Sequence, residues 1–140
     1  MADRSQAVRY ITRVSNKIRR EFDIAPTFKE ISVAEARTLY FLLDRKEPTY
    51  QKDIEYEYCL RPPSASRLLA RMEEHGFIKR ESIEEDGRYK RITVTDKGLK
   101  YKDEVLKKLR RLEAKVTDGL TDEDIEVFCR VMKQMTDNLP

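Results

Sequence analysis

The sequence of 140 residues predicts a mainly α-helical chain that carries one small β-hairpin. Asp86-Gly87 indicates the hairpin, since a two-residue turn needs positive φ and glycine adopts it without strain. β-Branched residues supply strand character on both sides of it: Ile83, Ile92, Thr93, Val94 and Thr95. Before the hairpin, residues 49–77 read as a short helix, a tight connection and a second helix. This order predicts a winged helix-turn-helix between long N- and C-terminal helices.

The first two helices are predicted from their apolar spacing and their ends. The first is amphipathic, with a basic opposite face, and its apolar positions are Val8, Ile11, Val14, Ile18 and Phe22. Pro26 interrupts the chain before the second helix. Ser32 and Glu35 have the spacing of a capping box at the start of that helix, and residues 46–48 end it.

The second helix of the helix-turn-helix has two distinct faces. Pro62 and Pro63 fit its first turn, and Gly76 fits a left-handed position after its end, with Phe77 packing back. The predicted core side is Ala65, Leu68, Leu69 and Met72. The opposite side is small and polar, with two arginines: Pro63, Ser64, Ser66, Arg67, Ala70 and Arg71. Such a face fits a DNA major groove, where an arginine bonds guanine bidentately; the alternative is a plain solvated helix.

The hairpin carries a cation at its projecting end. Arg88 follows the turn, and Asp86 is placed to hold its guanidinium group. A cationic finger of this kind suits a narrow, electronegative minor groove. The alternative interpretation is a solvated hairpin with ordinary charged surface residues.

The C-terminal part predicts a long helix and a final helix. Thr95 caps the first, which begins near Asp96, and Gly119 breaks it before Thr121 opens the second. Apolar residues in both helices recur at steps of three and four, which is the spacing of a helical seam. We expect these helices and the first helix to form a homodimer, the alternative being that they pack on their own chain. The predicted dimer contacts are Val8, Ile11, Leu109, Leu112, Val116, Ile125, Phe128, Met132 and Met135.

Composition fits one domain with a partner. Apolar and charged residues each make up 39% of the chain, which is a low apolar share for a compact monomer. The net charge is only +3, although residues 1–22 hold six Lys/Arg against two Asp/Glu. Modest net charge predicts modest non-specific affinity for nucleic acid, with its salt dependence set by local contacts.

Catalytic chemistry is not indicated, so we expect no enzyme, no metal and no cofactor. His75 is the only histidine and lies at a helix end, where a cation is favourable in any protein. Cys59 and Cys129 have no ligand spacing for zinc, and we expect both to be structural, Cys59 half-buried. The longest apolar run, residues 39–43, is too short to span a bilayer, so we expect a cytoplasmic protein.

Four segments resemble the MarR-type (multiple antibiotic resistance regulator) winged-helix transcription factors. They are residues 51–54 (QKDI), 64–69 (SASRLL), 73–78 (EEHGFI) and the wing pattern from Asp86-x-Arg88 to Thr95-x-x-Gly98. The resemblance implies a homodimeric DNA-binding repressor or activator that a small ligand or oxidation releases. It also implies an effector cleft between the dimer and DNA-binding lobes. The chain departs from the family at Arg61-Pro62-Pro63, where many members have a hydroxyl residue as helix cap.

Together these observations predict a single domain of residues 1–140, with a DNA-binding lobe at about 30–98 and a dimerisation lobe at about 1–25 and 99–140. The predicted DNA contacts are Gln51, Ser64, Ser66, Arg67, Arg71, Arg88, Lys90 and Arg91, with Asp86 orienting the wing. Conceivable effector contacts are Arg9, Arg13 and Tyr40. Two alternatives stay open: a thiol-based redox regulator, and a winged-helix protein-interaction module without DNA binding.

Overall fold

The computed structural model describes residues 1–24, 31–83 and 89–140. Across these ranges, one antiparallel pair of strands lies in the chain between a first group of helices and a second. The elements are α1 Ser5–Ile24, α2 Val33–Asp44, α3 Gln51–Tyr58, α4 Pro62–Glu74, β1 Ile78–Ser82, β2 Lys90–Val94, α5 Asp96–Lys100, α6 Lys102–Val116 and α7 Asp122–Asn138. The predicted fold class, mainly helical with a hairpin wing, is confirmed.

Helix α4 begins and ends where its sequence predicts. Pro62 and Pro63 occupy its first two positions, where a missing N–H costs no helical hydrogen bond. Gly76 adopts φ +79° after the helix, a left-handed conformation that favours glycine. The Phe77 N–H then donates to the Met72 carbonyl at 2.9 Å, and the Phe77 side chain is fully buried. The chain therefore turns sharply from α4 into β1.

The two strands form the wing and join the helix-turn-helix core. They pair from Ile78 opposite Val94 to Ser82 opposite Lys90. The Ile92 N–H also donates to the Thr49 carbonyl at 2.8 Å, which ties β2 to the segment before α3. Residues 84–88 lie outside the described ranges, so the Asp86-Gly87 turn remains a prediction.

The prediction of one long helix after Thr95 is wrong in one respect, because the structure has two helices there, α5 and α6. Thr95 caps α5 through a bond from the Gly98 N–H at 3.1 Å, as predicted. The break falls at Tyr101, whose N–H donates to the Gly98 carbonyl and whose ring packs edge-on against Phe77 at 5.3 Å. Helix α5 contacts β2 of the wing, whereas α6 contacts α2 and α1.

The apolar core belongs to the single chain and includes part of α6. Leu39, Ile54, Leu69 and Phe77 are fully buried in it. Leu109 and Leu112 are only 5% and 7% exposed within the same cluster. The prediction that these two residues are dimer contacts is therefore corrected: they pack against their own chain. Val116, one helical turn further on, is 42% exposed.

Helix α7 is well capped but contributes no buried residue. At its start, the Thr121 hydroxyl accepts from the Asp124 N–H, and the Asp124 carboxylate accepts from the Thr121 N–H. Gly119 precedes it at φ +81°. Its apolar side stays accessible: Phe128 is 57% exposed, and Ile125, Met132 and Met135 are half-buried. None of the helices described is both long and apolar enough to cross a membrane.

Candidate DNA-binding surface and adjoining cavity

Helix α4 presents the face that the sequence singled out. Its inner stripe is buried: Ala65, Leu68, Leu69 and Met72. On the other side Arg67 and Arg71 are exposed, and Ser64 and Ser66 are half-buried. Two guanidinium groups about one helical turn apart, beside short hydroxyl side chains, leave room for the helix to approach a base edge or a phosphate. The arrangement has the chemistry of a groove-reading helix.

Gln51 has an internal role that its sequence position did not reveal. Its Nε2 lies 3.2 Å from the Pro62 carbonyl oxygen and 3.2 Å from a Glu55 carboxylate oxygen. Both amide donors are thus directed within the chain, and one of them spans from α3 to the start of α4. This geometry weighs against the predicted phosphate contact. It also supplies a polar tie at a helix start where Arg61 makes no side-chain cap.

On the wing, Lys90 and Arg91 are exposed on β2, and Arg91 lies opposite Glu81 of β1. Arg88 and its predicted partner Asp86 lie outside the described ranges. The Lys52 ammonium group stands 5.5 Å from the centre of the Tyr89 ring, which brings α3 close to the wing. The sequence analysis missed this contact because the two residues are far apart in the chain.

Two further long-range pairs hold α4 in place. Arg80 Nε and Nη2 both lie 2.7 Å from Glu73 Oε1, joining the end of α4 to β1. His75 Nδ1 lies 2.7 Å from Glu35 Oε2, joining the other side of that end to α2. Glu35 is buried, and its Oε1 accepts from the Ser32 hydroxyl at 3.2 Å. His75 is the C-cap residue of α4, as its position predicts, and it has a second role in the pair with Glu35. Glu35 completes this pair rather than a reciprocal capping box.

Both cysteines are exposed, which corrects the expectation that they are packed. Cys59 ends α3 with φ +51°, a left-handed conformation uncommon outside glycine, asparagine and aspartate. That conformation turns the chain from α3 toward α4 and carries the thiol outward. In the described parts of the chain, no three His, Cys, Asp or Glu side chains come close enough to hold a metal ion.

A cavity of about 300 Å³ lies where α2, α3 and α6 meet. Its lining residues are Arg37, Tyr40, Phe41, Asp44, Glu57, Tyr58, Leu109 and Glu113. Burial, and to a lesser degree the Glu57 carboxylate, raises the pKa of Tyr58 to about 12, so its hydroxyl stays protonated at neutral pH. Of the three conceivable effector contacts, Tyr40 lines this cavity. Arg13 instead lies over the Tyr10 ring at 5.6 Å, and Arg9 is not in the lining.

Comparison with known proteins points to one family. The model of the MarR family matches residues 31–90, the stretch that contains α2, α3, α4 and β1. The transcription regulator MarR from Oenococcus oeni PSU-1 is 23% identical, with a TM-score of 0.80 over 94% of this chain and 98% of that one. MepR from S. aureus, solved as a DNA complex, is 23% identical, with a TM-score of 0.84 over all of both chains.

A third solved structure is the organohalide-sensing transcriptional regulator RdhR bound to 2,4-dichlorophenol. It is 16% identical, with a TM-score of 0.86 over 99% of this chain and 82% of that one. The Oenococcus oeni protein and RdhR are both named as transcription regulators. Residues 31–90 therefore match the MarR family model, and the chain has the same overall fold as these solved structures.

Proposed function

We propose that this protein is a sequence-specific DNA-binding transcriptional regulator, in which α4 enters the major groove and the wing reaches the neighbouring minor groove. The observation that carries the proposal is the division of α4 into a buried apolar stripe and an exposed side with Arg67 and Arg71. Ser64, Ser66 and Arg67 contact base edges, and Arg71, Lys90 and Arg91 contact phosphates that set the register without reading sequence. Arg88, oriented by Asp86, remains the proposed minor-groove contact.

The proposed working unit is a homodimer. Helix α7 buries none of its own residues in the single chain, although it carries a run of large apolar side chains. On α1, Val8 and Val14 are 67% and 43% exposed. Covering such surfaces with a second copy removes apolar area from water. The proposed contacts are Val8, Ile11, Val116, Ile125, Phe128, Met132 and Met135.

Dimer symmetry defines the DNA site. Two symmetry-related α4 helices fit two successive major grooves, about 10 base pairs apart centre to centre, so the operator is an inverted repeat. Residues of about 30–98 then act as the DNA-binding lobe, and those of about 1–25 and 99–140 as the dimerisation lobe. We further propose that the protein acts in the cytoplasm, most simply as a repressor.

A small molecule is proposed to regulate this activity from the cavity between α2, α3 and α6. The cavity contacts α3, which leads into α4 through only Cys59, Leu60 and Arg61. A ligand in this cavity that shifts α3 relative to α2 and α6 therefore changes where α4 stands relative to the dimer axis. Two solved neighbours support a protein that binds both DNA and a small molecule. One of them is a DNA complex, and the other is bound to a chlorinated phenol.

Fluorescence anisotropy tests the DNA-binding proposal. An operator is first selected from a randomised duplex library, and wild type is compared with Arg67→Ala across a salt series. We expect the variant to lose about 1–3 kcal/mol of binding free energy and some sequence preference. Arg111→Ala, which removes an exposed arginine from α6, is the matched control and is expected to bind as wild type does. Equal losses in both variants would show that Arg67 has no special role in DNA binding, and no selected sequence at all would favour a protein-interaction module.

A redox-sensing regulator is a second candidate, favoured by the exposure of Cys59 immediately before α4. Oxidation there would add a polar group at the junction that positions the DNA-reading helix. Peroxide would then release DNA from wild type and from Cys129→Ser, but not from Cys59→Ser. Release that is the same in all three proteins, or absent from all three, would rule this candidate out.

A further inference from the structure

The cavity between α2, α3 and α6 combines aromatic side chains with an excess of negative charge. Its charged lining consists of Arg37 against Asp44, Glu57 and Glu113, one positive and three negative groups. Its volume of about 300 Å³ is at the small end of the range for ligand sites in proteins. A compact organic molecule therefore fits it better than a polymer segment.

None of the three carboxylates forms an ion pair with a cation within the described ranges. Across the described ranges, the acidic partners in ion pairs are Glu21, Glu35, Glu47, Asp53, Glu73 and Asp137. Asp44, Glu57 and Glu113 are not among them, and Arg37 forms no such pair either. The negative potential of the lining is therefore available to a ligand.

The aromatic part of the lining is suited to a cation. Phe41 and Tyr58 meet edge to face, with ring centres 6.1 Å apart, and Tyr40 is 39% exposed beside them. The Arg45 guanidinium already stands 5.5 Å from the centre of the Phe41 ring, held by Asp53 at 3.6 Å. Phe41 thus already makes a cation–π contact with Arg45. A bound ammonium group would make the same kind of contact with an aromatic ring of the lining.

We propose that this cavity binds a compact organic cation with an aromatic or aliphatic body, such as a quaternary ammonium compound. The carboxylates attract its charge, while Tyr40, Phe41 and Leu109 cover its apolar part. An aromatic anion of the same size meets three like charges and only one opposite charge, so it binds more weakly. The role of such a cation as an effector rests on the proposed function, whereas its binding to the cavity does not.

Isothermal titration calorimetry on the full chain tests the charge preference. The probes are benzyltrimethylammonium, the anion benzenesulfonate and the neutral benzyl alcohol, all near one size. We expect the cation to bind at least about fivefold more tightly than the anion, with a preference that weakens as salt is added. Equal or tighter binding of benzenesulfonate would overturn the proposal.

Charge-neutral variants locate the site. In Glu57→Gln/Glu113→Gln both changed residues are exposed, so the fold should tolerate the change, and circular dichroism verifies it. We expect binding of the cation to weaken about five- to tenfold and binding of benzyl alcohol to stay the same. Glu104→Gln is the control, because Glu104 lies on α6 like Glu113 but outside the lining of the cavity. We expect this variant to bind the cation as wild type does. If the double variant binds the cation as wild type does, the cavity is not the site.

DNA titrations of the same proteins separate this inference from the proposed function. Selective cation binding by a protein that binds no DNA would uphold the cavity assignment and refute the regulator. Operator binding without any cation preference would refute the cavity assignment alone.

Discussion

Gly98 lies in the first turn of α5, beside the backbone of Phe77, which connects α4 to β1. A Cβ atom at this position would stand 2.5 Å from the Phe77 carbonyl oxygen and 2.6 Å from Val94 Cγ1. The first of these contacts is with backbone, which cannot turn aside as a flexible side chain can. Glycine is needed at this position because there is no room for a Cβ atom. The backbone conformation does not require glycine, since the φ of Gly98 is not positive.

We expect Gly98→Ala to lower the free energy of unfolding by about 1–3 kcal/mol, because overpacking here outweighs the gain in helix propensity. Urea denaturation at fixed protein concentration measures it, since the stability of the proposed dimer depends on protein concentration. Gly119→Ala serves as the comparison. Its Cβ atom would meet nothing within 4 Å, so its only cost is the strain of a side chain at φ +81°. A Gly98→Ala protein as stable as wild type would show that the corner is not tightly packed.

Tyr58 gives a pH dependence at the scale of one residue. Its pKa is raised from 10.0 to about 12, mainly by burial, so between these values the folded state keeps a proton that the unfolded state releases. The associated stability is complete below pH 10 and falls as pH rises toward 12. We expect Tyr58→Phe to reduce this loss across that window, measured by denaturation at several pH values. In wild type, ultraviolet titration should show one tyrosine that ionises late; uniform ionisation of all tyrosines would contradict the assignment.

Between elements, the start of α4 is held by a side chain of α3 and not by a cap of its own. Gln51 bonds the Pro62 carbonyl, while Arg61 contributes no side-chain bond. The other end of α4 is held by the pairs Glu73–Arg80 and His75–Glu35. Helix α4 is therefore positioned by contacts with three other elements, which is what accurate placement against DNA requires.

We expect Gln51→Ala to lower the free energy of unfolding by about 0.5–1.5 kcal/mol in the absence of DNA, because a tie between α3 and α4 is removed. Chemical denaturation of the free protein measures this directly. Gln6→Ala, at an exposed position in α1, is the control. Had Gln51 only contacted phosphate, its removal would leave the free protein unchanged and weaken the complex alone.

For the whole molecule, the accessible side of α7 predicts that folding and assembly depend on each other. We expect Phe128→Asp to convert a dimer into a monomer, because it places a charge within the apolar side of α7. Analytical ultracentrifugation measures the change, and operator affinity should fall with it, since each half-site then binds alone. Glu126→Asp, two residues away and exposed, controls for changes to the helix itself. A Phe128→Asp protein that remains dimeric would place the interface elsewhere.

Several helix ends followed from the sequence because the bonds that set them are local. Thr121 and Asp124 cap each other three residues apart, and Gly76 ends α4 by its own backbone conformation. The buried stripe of α4 followed from helical spacing, and the exposed arginines opposite it followed with it. The winged helix-turn-helix and its candidate DNA-reading face were thus predictable from residues that are near one another in the chain.

Packing between distant segments determined the rest. At the break between α5 and α6, the Tyr101 ring packs against Phe77, and His75 pairs with Glu35, forty positions earlier. Spacing marked Leu109 and Leu112 as apolar, but whether α6 turns them to its own core or to a partner depends on how it crosses α2. The charge of the cavity, likewise, arises only where three helices meet. Sequence encodes which groups are available, and the three-dimensional fold determines which of them meet.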